Sequence, residues 1–373
     1  MGLTLLDRVN LLRINACAGF REWARWRDKA VRDEPRVFYG YDCLPRPGET
    51  VSGGLVKLLD LTARFPNCRK GANIVYLVSS ALPPAVGRMV DRAKKAGARI
   101  VLNQNGVAYP AWHGPGWEEA NAPMKFVVQA ADHVFYQSAF CRLGADRFLG
   151  ERKGPSEILF NPVDTTVFVP GPSRADRESP VLLLAGSHWH FYRIQTAVET
   201  IALVRKIHPK ARLVIAGRFR WRPNPVDAER EARDLCRKLG VADAVEFQGP
   251  YTQAQAVPLL QSAHILLHTK YNDPCPRLVV EAMACGLPVV YSATGGVPEL
   301  VGEYAGVGAP GPLDWEKDHP PSPDQMAQGV DRILERWPDY SAAARERAVR
   351  QLGTTSWINR HHDVFRDLLF HNG

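Results

Sequence analysis

The stretch Tyr271-Asn-Asp-Pro-Cys-Pro-Arg-Leu-Val-Val-Glu-Ala-Met-Ala-Cys-Gly-Leu-Pro-Val-Val290 reads as loop, helix, turn and strand in succession. Pro276 suits the first turn of a helix, where a missing N–H costs nothing and φ is already near helical. The N–H groups of Arg277, Leu278 and Val279 then point out of the helix start, where the macrodipole is positive, and make a site for an anion. Asp273 lies in the loop, and Glu281 stands four residues after Arg277, on the same helical face. Carboxylates cannot hold phosphates, so a pair flanking such a helix start suits hydroxyls at either end of a diphosphate. A nucleotide sugar has that layout. The plainer reading is an ordinary helix start with an Asp cap and a Glu paired to a neighbouring Arg.

The Asp273-x7-Glu281 spacing, followed by Ala-Met-Ala-Cys-Gly-Leu-Pro-Val-Val and then by Thr294-Gly-Gly-Val-Pro-Glu-Leu-Val301, resembles the Glu-x7-Glu segment of family-4 glycosyltransferases. The resemblance implies a GT-B fold: α/β, with two Rossmann-like doubly wound domains facing across a cleft and a C-terminal helix crossing back to the first domain. It also implies a retaining, metal-independent transferase, with the first acid on the donor sugar and the second on the ribose. Those roles pass to Asp273, a carboxylate one methylene shorter than the family's Glu, and to Glu281.

Composition sets the bounds. The chain has 373 residues, enough for two ordinary domains, and its hydrophobic and charged fractions of 45% and 23% are those of a globular protein with a compact core. A net charge of +8, from 47 basic and 39 acidic residues, favours acidic ligands or anionic surfaces. No Lys/Arg block or aromatic-basic ribbon marks a nucleic-acid reader. Seven scattered cysteines without a C-x-x-C pair argue for a reducing compartment and against a disulfide frame or zinc site. With no bilayer-length apolar run and no signal peptide, the expected location is cytoplasmic.

Along the chain, residues 1 to about 34 read as an amphipathic, Trp-bearing, basic helix. Such a segment suits the surface of an anionic membrane, but five acids dilute the signal, and packing against the first domain is the favoured reading. Strands are expected at 36–40, 73–78, 98–102 and 132–136, with helices at 84–95 and from Ser138 to about 148. Gly53-Gly54 opens a helix, and the resemblance puts this pair under the donor phosphates and the acceptor. Asn105 stands at the carboxyl end of the third strand, where open α/β sheets hold their ligands. The family often has a His at that position; His113, in the aromatic loop 109–117, is the other candidate for its work, and the sequence does not decide between them. That loop reads as a wall for acceptor or sugar.

The Pro-rich run 170–180 marks the linker, dividing an acceptor-side domain, 1–172 with the crossing-back helix 355–373, from a donor domain, 173–354. The donor domain alternates strands and helices up to Leu300, after which loops are expected until Pro323. After Gly186 the family usually has an Arg and then a Lys aimed at the diphosphate. Here the loop is Ser187-His-Trp-His-Phe-Tyr-Arg193, so the Arg is missing and Arg193 alone is near the Lys position. Arg193, Arg218 and Arg277 are the candidates to replace the pair. His188 and His190 lack a third ligand nearby, so no metal is expected, and no cofactor beyond the sugar nucleotide. The partners implied are a nucleotide-sugar donor and a glycan or lipid-linked acceptor, in surface-glycan or glycolipid assembly. The alternatives are a nucleotide-sugar epimerase and a non-catalytic nucleotide-sugar-binding protein.

Overall fold

The computed structural model describes residues 25–27, 29–31, 33–44, 53–171 and 178–370. Most of the expected N-terminal helix, most of the 41–52 loop and the middle of the linker lie outside these residues. The described part of that first segment carries no helix over 29–31 and 33–36, and Trp26 packs edge-on against Phe38 in the core of the first domain.

The chain forms two parallel sheets. The first runs β1 (Val37–Phe38), β2 (Ile74–Val78), β3 (Arg99–Gln104), β4 (His133–Tyr136) and β5 (Ser156–Ile158), in that spatial order. The second comprises β6 (Val181–His188), β7 (Arg212–Phe219), β8 (Val245–Gly249), β9 (Ile265–His268), β10 (Val289–Ser292) and β11 (Gly306–Ala309). Its order is β11-β10-β9-β6-β7-β8, so the winding direction reverses between β6 and β9. Ligands of doubly wound sheets sit at that reversal, beyond the carboxyl ends of the strands.

Both sheets are buried on both faces, which is why their strands read as continuous apolar runs. In the first domain α1 (Gly53–Thr62) covers one face. The other carries α2 (Val86–Lys95), α4 (Trp117–Ala130) and α5 (Ala139–Leu149), with a single turn, α3 (Pro110–His113), before α4. Ser138 caps α5 by accepting the Cys141 N–H at 3.0 Å, as its position in the sequence predicts. In the second domain α6 (Tyr192–Val204), α7 (Pro225–Lys238) and α11 (Pro323–Glu335) lie on one face. The opposite face carries α8 (Gln253–Gln261), α9 (Arg277–Ala284), α10 (Val297–Val301) and α12 (Trp337–Gln351).

The last helix, α13 (Thr354–Phe370), returns to the first domain. Trp357, Val364, Phe365, Leu368 and Leu369 pack with Val37, Tyr39 and Tyr76 on the α1 face of the first sheet. The chain crosses between domains twice, and the two passages lie side by side: Val163 donates its N–H to Leu352 at 2.8 Å and accepts that of Thr354 at 3.1 Å.

Two elements depart from the sequence reading. The expected loop after Leu300 contains β11, which pairs with β10 over four residues. Its glycines hide it: a Cβ on Gly306 would lie 2.1 Å from the Val289 carbonyl oxygen, so the strand takes no side chain there and reads as a loop. Helix α4 likewise goes unread, because Pro123 sits inside it and glycines precede it. Among the described residues, no helix is long and apolar enough to cross a membrane.

Phe365 is fully buried between α13 and the first sheet. Phe365→Ala is expected to cost about 3–5 kcal/mol, measured as a lowered denaturation midpoint. A loss below about 1 kcal/mol would mean that α13 is not part of this core.

Candidate active site

The site is built where the second sheet reverses. Strand β9 ends at His268, and the chain runs through Lys270 to Asp273 and then into α9. Asp273 is buried, its Oδ2 3.1 Å from His268 Nε2 and its Oδ1 3.2 Å from Lys270 Nζ. Burial alone would raise its carboxyl, but Lys270, the His268 hydrogen bond and Arg193 outweigh that and hold it well below the usual carboxylate range. His268 is itself pushed down by burial, against the pull of Asp273.

The loop holding Asp273 is seated on the run after β10. Gly296 donates its N–H to the Asp273 carbonyl at 2.9 Å, and Thr294 Oγ1 accepts the Asn272 N–H at 3.0 Å. A Cβ on Gly296 would lie 2.0 Å from the Pro274 carbonyl oxygen, and one on Gly295 2.5 Å from that of Asp273. Asn272 has φ +49°, a left-handed conformation that Asn tolerates better than most residues.

At the start of α9 the three expected amides divide. The Val279 N–H is taken by the Pro276 carbonyl at 3.2 Å, while those of Arg277 and Leu278 take no hydrogen bond among the described residues. Arg277 Nε lies 3.1 Å from Glu281 Oε1, and its Nη1 lies 2.7 Å from Oδ2 of Asp60, on α1 of the first domain. Its guanidinium therefore joins the two domains. Burial raises the Glu281 carboxyl against the pull of Arg277. Burial also pushes the nearby Lys57, on α1, down to about 8.

The other cations stand apart. Arg193 is buried, its Nη1 2.5 Å from the Ser187 carbonyl oxygen and its Nε without a partner, and it contributes to the field on Asp273. Arg218 is exposed near the end of β7. His188 points inward, to the Ala216 carbonyl at 3.2 Å, and burial pushes it down to about 3; His190 stacks on Tyr192. Among the described residues no group of His, Cys, Asp and Glu is placed to hold a metal.

The first domain supplies Asn105, which donates from Nδ2 to Ser80 Oγ at 2.6 Å and accepts from Ser79 Oγ. Gly54 allows this arrangement, since a Cβ there would lie 2.6 Å from Ser80 Oγ; Gly53 opens the same helix. Asn105 and His113 line one interdomain cavity of about 380 Å³, together with Lys270, Asn272 and Pro274 from the second domain. The sequence reading missed Lys270, His268, Asp60 and Lys57. The first two were findable as polar residues at the carboxyl end of a parallel strand; the α1 pair meets the site only through tertiary packing.

Residues 170–351 match the family model described as glycosyl transferases group 1. Among curated proteins, the chain is 25% identical over 243 residues to the phosphatidylinositol N-acetylglucosaminyltransferase gpi3 subunit of Schizosaccharomyces pombe, covering 64% of this chain and 49% of that one. It is 30% identical over 165 residues to a D-inositol 3-phosphate glycosyltransferase of Stackebrandtia nassauensis, covering 41% and 37%. The chain thus spans about half or less of the length of these relatives. Among solved structures, sucrose-phosphate synthase from Thermosynechococcus elongatus superposes with TM-score 0.64 at 19% identity, covering 85% of this chain and 77% of that one. Anabaena HepE in complex with UDP gives 0.63 at 16%, covering 83% and 81%. The likenesses share the two-domain GT-B fold, and with the family match they support a glycosyltransferase.

Two expectations follow. Gly296→Ala drives a methyl group into the Pro274 carbonyl and should destabilise the fold by about 1–3 kcal/mol, read from denaturation curves; an unchanged midpoint would mean that the loop is not seated on Gly296. Lys57 gives up its proton near pH 8 in the folded protein but only near 10.5 when unfolded, so the wild type gains stability as pH rises through that window. Lys57→Met should therefore stabilise by about 3 kcal/mol at pH 7 and by progressively less towards pH 10.5, read from denaturation curves at each pH.

Proposed function

We propose that this chain transfers a sugar from a nucleoside diphosphate to an acceptor hydroxyl, with retention at the anomeric carbon, as a family-4 glycosyltransferase. One observation carries the reading: the two open amides of Arg277 and Leu278 at the start of α9, flanked by Asp273 and Glu281 at the reversal point of the second sheet. Neighbours of the same fold solved with UDP and with UDP-glucose support a sugar nucleotide as the donor.

In this reading the diphosphate lies at the start of α9. Charge building on the departing phosphate is met by the amide dipoles and by Arg193, whose buried Nε has no partner of its own. Glu281 accepts from the ribose hydroxyls. Asp273, kept ionised by Lys270 and His268, accepts from hydroxyls of the transferred sugar, and its negative charge favours the positive character that develops at the anomeric carbon. Asn105, fixed by Ser79 and Ser80, touches that sugar from the first domain, with His113 on the rim. Positive charge facing the leaving group comes from the protein, so the proposed transfer needs no metal. The acceptor enters from the first domain, and the proposed setting is glycan or glycolipid assembly on the cytoplasmic side.

Glu281→Ala should raise the dissociation constant for UDP at least tenfold while leaving the circular dichroism spectrum unchanged. Asp273→Asn should retain UDP binding and lower the rate of UDP-glucose turnover about a hundred- to a thousand-fold, the usual size for loss of one transition-state contact. Glu281→Ala binding UDP as the wild type does would contradict the assignment.

A further inference from the structure

The interdomain cavity has a mixed lining. Ser79, Ser80, Asn105, His113, Lys270 and Asn272 are polar; Val107, Tyr109, Met124, Phe140 and Trp315 offer mainly carbon. Lys270 ties the cavity to the candidate site, since it lies 3.2 Å from Asp273. Trp315, Phe140 and Tyr109 form one wall. Trp315 belongs to the second domain, on the segment between β11 and α11, yet it is buried in the core of the first. Its ring stacks on Phe140 at 5.0 Å and meets Tyr109 edge-on at 4.9 Å, and its carbonyl accepts the Ala111 N–H at 2.9 Å. One wall of the cavity is thus an aromatic ring packed against two others.

A polyhydroxylated group against that wall would lose its hydrogen bonds to water and gain few in exchange, at a cost of kilocalories for each hydroxyl. Hydrocarbon meets no such penalty. Among the described residues no carboxylate lines the cavity, and about 380 Å³ is in the range of sites that enclose small molecules. We propose that the cavity holds a hydrocarbon chain carried by the acceptor beside the hydroxyl that receives the sugar, and that Trp315 sets the length it accepts. Calling the occupant the acceptor rests on the transferase reading; the preference for hydrocarbon does not.

The test is a homologous series. Binding of n-alkyl β-D-glucopyranosides from methyl to octyl, each below its micelle concentration, is measured on the full chain by calorimetry, with and without UDP. Burying a methylene is worth about fourfold in affinity, so the dissociation constant should fall roughly two- to fourfold per carbon and level off once the cavity is full. Gly144→Leu fills space at that wall, because a Cβ there already lies 3.3 Å from Val107 and 3.4 Å from Trp315; the plateau should then arrive several carbons earlier. Where that variant misfolds, Ala120→Leu, on another wall, is the substitute.

A flat series overturns the proposal, as does a slope that survives in a folded blocking variant. Displacement of octyl glucoside by UDP-glucose but not by UDP overturns it too, since the cavity would then belong to the donor sugar. The two readings fail separately: the slope without nucleotide binding removes the transferase and keeps the hydrocarbon site, while nucleotide binding with a flat series does the reverse.

Discussion

Asp273 is held in place because two glycine residues lie flush against the backbone that carries it. The contact between Gly295-Gly296 and residues 272–274 is closer than any side chain permits, and a hydrogen bond from Gly296 to the Asp273 carbonyl fixes its register. This is one loop seated on its neighbour at the carboxyl ends of adjacent parallel strands, β9 and β10. Much else follows from the seat. It places Pro276 at the mouth of α9, and with it the direction of the open amides and the positions of Arg277 and Glu281 one turn apart.

The charges gathered there are expensive. Asp273, Lys270, Arg193, Arg277, Glu281 and Asp60 are all largely buried, and buried ion pairs seldom repay their desolvation. A cluster of this kind is better explained by what it binds than by the stability it adds. Its arrangement also decides how the domains meet. Arg277 reaches Asp60, and the Glu299 carboxylate accepts the Ala139 and Phe140 N–H groups at 2.6 and 3.0 Å, placing an anion on the positive end of α5. Ser138 adds a bond to the Pro274 carbonyl at 2.7 Å. Polar contacts of this sort are typical of domains that separate and close. Trp315, buried in the first domain's core, adds an apolar contact.

The sequence makes the second domain's share of the site easy to read. Its parts are backbone devices with local signatures: Pro276 at the helix start, paired glycines after β10, and carboxylates at a fixed separation on one helix. The alternation of strands was legible for the same reason, since parallel strands buried on both faces are short apolar runs. What escaped reading had its signal removed by packing. The glycines of β11 fill no space because the neighbouring backbone fills it, and Pro123 stands inside α4. Asp60 and Lys57 sit on α1 with nothing in their spacing to single them out; their role depends on Arg277, more than two hundred residues away.

That contrast separates the two halves of the cleft. An anion is recognised by amides, which any sequence with the right turns can supply, so a motif for it can be shared across distant proteins. A hydrocarbon is recognised by the shape of a wall, which here is assembled from α4, α5 and a ring lent by the other domain. No short motif encodes such a wall, and a single substitution at Trp315 or Gly144 reshapes it without touching the amides. In the proposed transfer, selectivity for what receives the sugar can therefore change while the chemistry of the donor stays fixed, with Trp315 rather than the amides of α9 carrying it.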